Sequence, residues 1–499
     1  MNNADRMVEL QSIPNVLPQS VAVIETTEFG LSRAEGIARL LVLAPSGSAL
    51  LGTFEGEMTE HAGKTLLTGP ANAHNAAALR EQLAWLKPRP LGLQTCVGTG
   101  DRLGLATPGH VRAFRAAGGK AAPIFAQQSI REMARTARSP QQVMDDATWG
   151  TFAEGWTAGV GADADHLKTP QDIDACVAAG YTFFTIDPGE HVDNSAEDAS
   201  VATLRAMVEK LPWTRLENSV AGMRTRYLDQ TFDVEGDCVE FDEHTLLRAA
   251  AKYGRAVAHV AMMYRHLIEV TGGQNCELEV SVDETETPTT HAEHVFIALE
   301  LRRLGVKWVS LAPRYIGRFE KGVDYIGDVG AFESDFAIHA AIARVFGPYK
   351  LSLHSGSDKF RVYAPAMRQT RGLVHLKTAG TSYLEALHTV AAIDPDLFCA
   401  IYAFARDRYE TDRASYHVSA MLDRAPVPKP GDCDLPNLLG QFDAREILHV
   451  TFGSVLTART ADGSFRFYDR LMNLLRAHPE EYAANLQRHF EKHLKPFVV

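Results

Sequence analysis

Between residues 91 and 380 short apolar runs recur, each closed by polar residues and glycine, with helical stretches between them. The runs are LGLQTCVG (91–98), AAPIFAQQS (121–129), WTAGVGADADH (156–166), YTFFTIDPGEH (181–191), CELEVSVDE (276–284), VKWVSLAPR (306–314), YKLSLHSGS (349–357) and LVHLKTAG (373–380). Strand-like runs alternating with helical segments predict βαβ units and a parallel sheet. Eight such units closing on themselves make a (β/α)8 TIM barrel, an α/β fold whose chemistry sits at the C-terminal ends of its strands. An open doubly wound sheet is the competing arrangement.

The flanks read differently. Residues 1–88 form a small α+β unit, with strand-like VAVIETT, ARLLVLAP and ALLGTFEGE and a helical pattern from Asn75 to Leu86. KPRPLG marks the boundary, and the catalytic barrel is expected over 89–394. About ninety residues separate the fourth and fifth runs, where one crossover helix needs only a dozen or more. A helix from Glu243 to Val270 supplies the crossover, which leaves 195–242 as an insertion expected on the strand-exit side. From 395 to 499 a helical extension packs on the barrel, with amphipathic helices in FYDRLMNLLRAHPEEYAANLQRHFEKHL.

The chemistry lies in what ends the eight runs. In order these ends carry Asp101, Gln127 and Gln128; Asp163, Asp165, His166 and Lys168; Asp187 and His191; Glu279, Asp283 and Glu284; Arg314; His354, Asp358 and Lys359; and Lys377. In a barrel they converge on one mouth. Strand alternation puts Glu279, Ser281 and Asp283 on one face and Leu278, Val280 and Val282 on the other, so the carboxylates point inward. It also pairs Ser352 with His354, and His375 with Lys377. A carboxylate inside a barrel needs a partner or a cation. Two imidazoles among acids suit a borderline divalent ion such as Zn²⁺, Mn²⁺, Co²⁺ or Ni²⁺. His291 and His294 lack the HExxH pattern and are assigned to capping or the surface. GTGDRLG is not GxGxxG and reads as a turn delivering Asp101 and Arg102, followed by a helix with Thr107 as N-cap and Pro108 first. A P-loop and a GxSxG elbow are both missing, against phosphate transfer and serine hydrolysis.

Composition narrows the partners. A formal net charge of -12 argues against nucleic acid, and an acidic substrate would need local Arg or Lys. The N-terminus has no signal-peptide h-region and no run of 18 apolar residues exists, so neither secretion nor a membrane span is expected. Cys96, Cys176, Cys238, Cys276, Cys399 and Cys433 show no CxxC spacing, which fits reduced thiols in a cytoplasm. A homo-oligomer is compatible with the sequence.

GDRLGLATPGH, FAQQSIREM, DDATWGTF, GADADHLKT, FFTIDPGEHVDN, SVDETETPTT, SLAPRYIGRFEKGVDYIGD, LSLHSGSDKF and HLKTAGTSYLEAL resemble the tagaturonate/fructuronate epimerase family across roughly 90–390, and ILHVTFGSVLT extends the likeness. The resemblance implies a divalent-metal-dependent isomerase interconverting D-tagaturonate and D-fructuronate, some members also taking D-fructose and D-tagatose at C4. It implies Asp165 as proton acceptor and Glu279 as proton donor, with His166 and His354 as metal ligands. Glu320 is the third ligand, with Asp324 in reserve. Substrate contacts are assigned to Asp101, Gln128, Lys168, Asp187, Asp283, Arg314, Asp358, Lys359 and Lys377. Arg314, Lys359, Lys377 and Arg102 are the candidates for a substrate carboxylate.

In such a ketose the inverted carbon lies β to the ketone, so its C–H is not acidified. Transient oxidation would need a nicotinamide, and no convincing NAD site is present. Retro-aldol cleavage and re-addition needs a base for the hydroxyl, an acid for the return, and charge stabilisation at the ketone. A metal-dependent class II-type aldolase or ketose isomerase would use the same ligands, and a non-catalytic sugar-binding protein would need none of the acids.

Overall fold

The computed structural model describes residues 9–428 and 435–497; Cys433 lies outside them. Eight parallel strands close a barrel. They are β6 (Cys96–Gly98), β7 (Ala122–Ser129), β8 (Gly161–Leu167), β9 (Phe183–Ile186), β12 (Glu277–Ser281), β13 (Ser310–Ala312), β14 (Lys350–Leu353) and β15 (Val374–Lys377). Seven fall inside one of the eight apolar runs, and β8 extends one residue beyond its run, to Leu167. β15 pairs with β6 and β9 with β12, so no edge is left open. The barrel, not the open sheet, is the fold.

Alternation holds where the sheet is regular. Leu278 and Val280 of β12 pack outward into the main core, while Glu279 is buried inside the barrel. At the N-terminal end the Glu277 carboxylate accepts from the backbone N–H groups of Leu91 and Gly92, tying the incoming chain across the barrel floor. One irregularity matters for the site. Register shifts between β8 and β9 from Ala164 to Leu167, and His166 sits there with φ 53°. Strict alternation would send His166 away from Asp165. The bulge re-aims it, so neighbouring residues both face the mouth.

In front of the barrel lies an antiparallel sheet in the order β1-β2-β3-β5-β4. Its strands are β1 (Ala22–Ile24), β2 (Thr27–Ala34), β3 (Ile37–Ala44), β4 (Glu57–His61) and β5 (Lys64–Pro70). Leu40 and Val42 face one core, shared with Phe152 of the barrel helix Pro140–Ala153, and Leu41 and Leu43 face another. ALLGT, expected to be a strand, is a 3-10 turn over Ala49–Thr53 that buries Leu51. A short apolar run does not separate these states by itself. The following helix is Ala73–Gln82, with a 3-10 turn over Ala84–Leu86.

After β9 come helices Val201–Glu209 and Val220–Tyr227, then a hairpin of β10 (Gln230–Val234) and β11 (Asp237–Phe241). The long helix follows as Glu243–Thr271. The hairpin does not shape the mouth. Phe232 meets Phe346 at 6.0 Å, and Glu235 pairs with Arg344 and Arg371, which lead into β14 and β15 from the N-terminal side. Its aromatic residues find their apolar partners on the outer helices, and this draws it down the barrel wall.

Helix Thr107–Ala116 begins one residue earlier than expected, with Ala106 as N-cap. The C-terminal helices are Pro395–Asp412, Phe442–Val450, Phe452–Thr457, Tyr468–Ala477 and Pro479–Leu494. The last lies on Thr107–Ala116 so closely that a Cβ at Gly109 would sit 2.5 Å from the Leu486 Cβ. Among the described residues no helix is long and apolar enough to cross a membrane. Cys96, Cys176, Cys238 and Cys276 are free thiols.

Candidate active site

Lys377 is the centre of the mouth. Its ammonium lies 2.8 Å from Asp163, 2.8 Å from Asp165 and 2.9 Å from Glu279, and it donates to Thr185 at 2.6 Å. These partners come from β8, β9 and β12, Lys377 itself from β15, and all are buried, so attraction inside the barrel is strong. Burial works against the charge on Lys377, and the three carboxylates more than offset it, raising its pKa well above the ordinary lysine range. Burial likewise opposes ionisation of Glu279, but Lys377, His375 and His354 hold it down to about 2. Asp165 is held well below the carboxylate range by Lys377 and the two imidazoles, against its burial. Asp163 goes the other way, to about 6, because burial together with Asp165 and Glu279 outweighs Lys377.

His354 and His166 stand beside this group with ring centroids 4.4 Å apart at 87°. His354 Nε2 lies 2.9 Å from Asp165 and its Nδ1 lies 3.2 Å from Asp283. His166 Nδ1 is bonded to Asp187 at 2.9 Å, and its Nε2 lies 3.7 Å from Glu284. One ligand atom each from Asp165, His166 and His354 lies within 4.8 Å of the others. Carboxylates that fix one imidazole nitrogen and leave the other facing the site are the usual support of a metal-binding histidine. The acids here outnumber Lys377, Lys321 and Arg131, and the mouth keeps an excess of negative charge that a divalent cation suits.

Above the site opens a cavity of about 390 Å³, lined by Asp283, Glu284, Arg314, Lys321, His354, Ser355 and Tyr416 among others. A narrower inner part reaches Arg102, Gln127, Asp165, His166, Lys377 and His449. The opening is of small-molecule size. At its wall His449 packs on Gly380 so closely that any side chain there would collide with the imidazole.

A family model described as UxaE, tagaturonate epimerase, matches residues 17–497. The chain belongs to the tagaturonate epimerase family. A Thermotoga maritima protein named tagaturonate/fructuronate epimerase is 43% identical over 471 residues, covering 94% of each chain. The crystal structure of fructuronate-tagaturonate epimerase from Cohnella laeviribosi shares 39% identity, with a TM-score of 0.89 over 97% of this chain and 96% of that one. A two-glycerol complex of the Cohnella protein is equally similar, at a TM-score of 0.90 and 39% identity.

Within this epimerase the expected residues divide. Asp165, Glu279, His166, His354, Asp283, Lys377 and Asp187 converge at the mouth, Asp187 by holding His166. Arg314 lines the outer cavity. Others are engaged in contacts of their own, although Glu320 lines the outer cavity and Lys359 the inner one. Asp101 accepts from the backbone N–H groups of Leu103, Gly104 and Ala106, at 2.9, 2.8 and 2.6 Å, and closes its own turn. Gln128 registers with outward-facing Ala164 and donates to Glu132, whereas Gln127 registers with Asp163 and faces the inner cavity. Lys168 pairs with Glu190 at the surface. Asp358 holds Arg445 and His489, and the three protons of Lys359 go to the carbonyls of Glu320, Val323 and Ser357. Glu320 accepts from the Ser419 N–H and hydroxyl and joins no group of metal-ligand atoms among the described residues. Its reserve, Asp324, accepts from the backbone N–H groups of Tyr325 and Arg361. Lys321, Arg131 and Tyr416, which line the cavity, are not singled out by the sequence reading. They sit on loops and a helix turn where charge reads as solvation.

Proposed function

We propose that this enzyme interconverts D-tagaturonate and D-fructuronate by retro-aldol cleavage and re-addition in this mouth. The observation that carries the reading is the single ammonium of Lys377 joining Asp165 to Glu279. One carboxylate takes the proton of the hydroxyl on the carbon to be inverted, and that oxygen becomes an aldehyde. The bond to the neighbouring carbon breaks, and its electron pair passes toward the ketone. The aldehyde turns its other face, the bond re-forms, and the new alkoxide takes a proton from the opposite carboxylate. Lys377 bridges the two: it stays an ammonium and holds one carboxylate on each side of the substrate, and their protons are made good through solvent between turnovers. His166 and His354, with Asp165 beside them, hold a divalent cation, which when bound supplies Lewis acidity toward the ketone oxygen.

Arg314 has no carboxylate partner among the described residues, and Lys321 Nζ donates only to Ser355, at 2.9 Å. Both face the cavity, and they are assigned to the substrate carboxylate. This favours the uronate over a neutral ketose. The test is turnover in deuterated water without added nicotinamide. Epimer formed with no deuterium on carbon is the expected result. Deuterium at the inverted carbon would mean direct C–H abstraction and would end this mechanism.

A further inference from the structure

Outside the barrel strands, where the loops of the mouth pass into helices, helix His291–Arg303 lies beside helix Val329–Val345. Asp335 and His339 are four residues apart on the second helix and share a face. His291 faces them from the start of the first. His291 Nε2 lies 3.0 Å from Asp335 Oδ1, and His339 Nε2 lies 3.7 Å from Asp335 Oδ2. One ligand atom from each of the three lies within 4.8 Å of the others. His339 is fully buried, and its Nε2 and Asp335 Oδ2 have no hydrogen-bond partner among the described residues. The Thr289 carbonyl lies by the His339 ring but makes no hydrogen bond of normal geometry to Nε2.

We propose that His291, Asp335 and His339 form a second divalent-cation site, of the Zn²⁺, Co²⁺ or Ni²⁺ class, independent of the mouth. Zinc holds an imidazole nitrogen at about 2.0–2.1 Å, which sets neighbouring ligand atoms roughly 3.3 Å apart around a tetrahedral ion. The separations from the two imidazoles, 3.0 Å to Asp335 Oδ1 and 3.7 Å to Asp335 Oδ2, lie on either side of that spacing. The other side of His339 is equipped for the role. Its Nδ1 lies 2.9 Å from His294 Nδ1, and His294 Nε2 lies 2.8 Å from the Tyr349 hydroxyl. With His294 donating to Tyr349, His294 Nδ1 accepts from His339 Nδ1–H, and the His339 Nε2 lone pair is directed at Asp335. Such outer partners fix tautomer and orientation in metal-binding histidines. His291 and Asp335 are partly exposed, which gives the ion a way in and leaves its fourth position to water.

The comparable trio Asp358, His489 and His493 is already satisfied. Arg445 takes Asp358 Oδ2 at 3.0 Å, and the Asp358 N–H donates to His493 Nε2 at 3.0 Å. In the outer trio His291 Nε2 reaches Asp335 at Oδ1, 3.0 Å away, and at its backbone carbonyl, 3.3 Å away, while Asp335 Oδ2 and His339 Nε2 have no hydrogen-bond partner among the described residues. An ion there would pin the start of helix His291–Arg303, which follows directly on the loop carrying Asp283 and Glu284.

The test uses the full chain, stripped with chelator and titrated with Zn²⁺ alone, with bound metal counted after dialysis. His354→Ala removes a ligand of the mouth and serves as background, so failure of the mouth site and of this one are read separately. In that background one equivalent should remain, and it should be lost with either His291→Ala or Asp335→Asn. Co²⁺ loaded on the His354→Ala protein should show a tetrahedral visible spectrum that both substitutions abolish. His291 is partly exposed, so its replacement leaves a folded protein on which the loss can be measured. Zero equivalents in the His354→Ala background, or unchanged stoichiometry in the His291→Ala and Asp335→Asn proteins, would overturn the proposal.

Discussion

At the scale of residues, the site depends on a charge balance around Lys377. Replacing it by Met leaves Asp163, Asp165 and Glu279 buried without their shared cation. Breaking a buried pair from one side costs about 3–5 kcal/mol, so Lys377→Met should lower the denaturation midpoint as well as turnover. Asp165→Asn and Glu279→Gln should each reduce kcat by about 10²–10⁴-fold while leaving the protein folded, as initial rates and circular dichroism would show. Arg314→Gln should raise KM for the keto-uronate and leave that for a neutral ketose unchanged; an equal effect on both would remove Arg314 from carboxylate recognition. The inward set Glu279, Asp283, His354 and Lys377 was legible from strand alternation. His166 reached the mouth for a reason alternation does not contain, the bulge between Ala164 and Leu167. Alternation also separates Gln127 from Gln128, but only once the register against Asp163 is known. For Glu320 and Lys359, which line the cavity yet bond to Ser419 and to the carbonyls of Glu320 and Val323, nothing in a loop sequence tells a ligand from a residue that ties loops together.

At the scale of elements, two carboxylates fasten the C-terminal helices over the mouth. Asp358 has φ 61°, a left-handed conformation that Asn tolerates, so Asp358→Asn isolates the charge. Loss of its contacts to Arg445 and His489 should free helix Pro479–Leu494, with faster amide exchange there than in the barrel strands. Glu446, on helix Phe442–Val450, is pushed up to about 8 by burial and by its hydrogen bond to Glu320. The folded state therefore holds this proton more tightly than the unfolded chain, whose value is near 4.5. That contribution is complete below the unfolded value and is lost as pH rises through about 8. Urea unfolding of Glu446→Gln should show a flatter fall in stability across this window than the parent; an identical slope would place the titration elsewhere. The eight strands were legible because each apolar run ends in polar residues and glycine. The turn at ALLGT and the path of the β10–β11 hairpin were not, since both are decided by which distant apolar surface, Leu51's pocket or Phe346, is free to receive them.

At the scale of the whole molecule, a barrel supplies inward positions on eight strands, and here many of them are charged. Acids in excess over local cations, two imidazoles each held by a carboxylate, and a small cavity above them are what support the proposed binding of a divalent cation and a polar ketose. The formal net charge of -12 disfavours an anionic substrate at long range, so the proposed recognition of the uronate would rest on Arg314 and Lys321 within the cavity. The most direct test is to strip the enzyme with chelator, restore Mn²⁺, Zn²⁺, Co²⁺ or Ni²⁺ one at a time, and follow D-fructuronate by chromatography without added NAD. Metal-restored appearance of D-tagaturonate, abolished by His354→Ala, is the predicted result. Full activity in the stripped enzyme, or a requirement for NAD, would contradict the metal-assisted retro-aldol account.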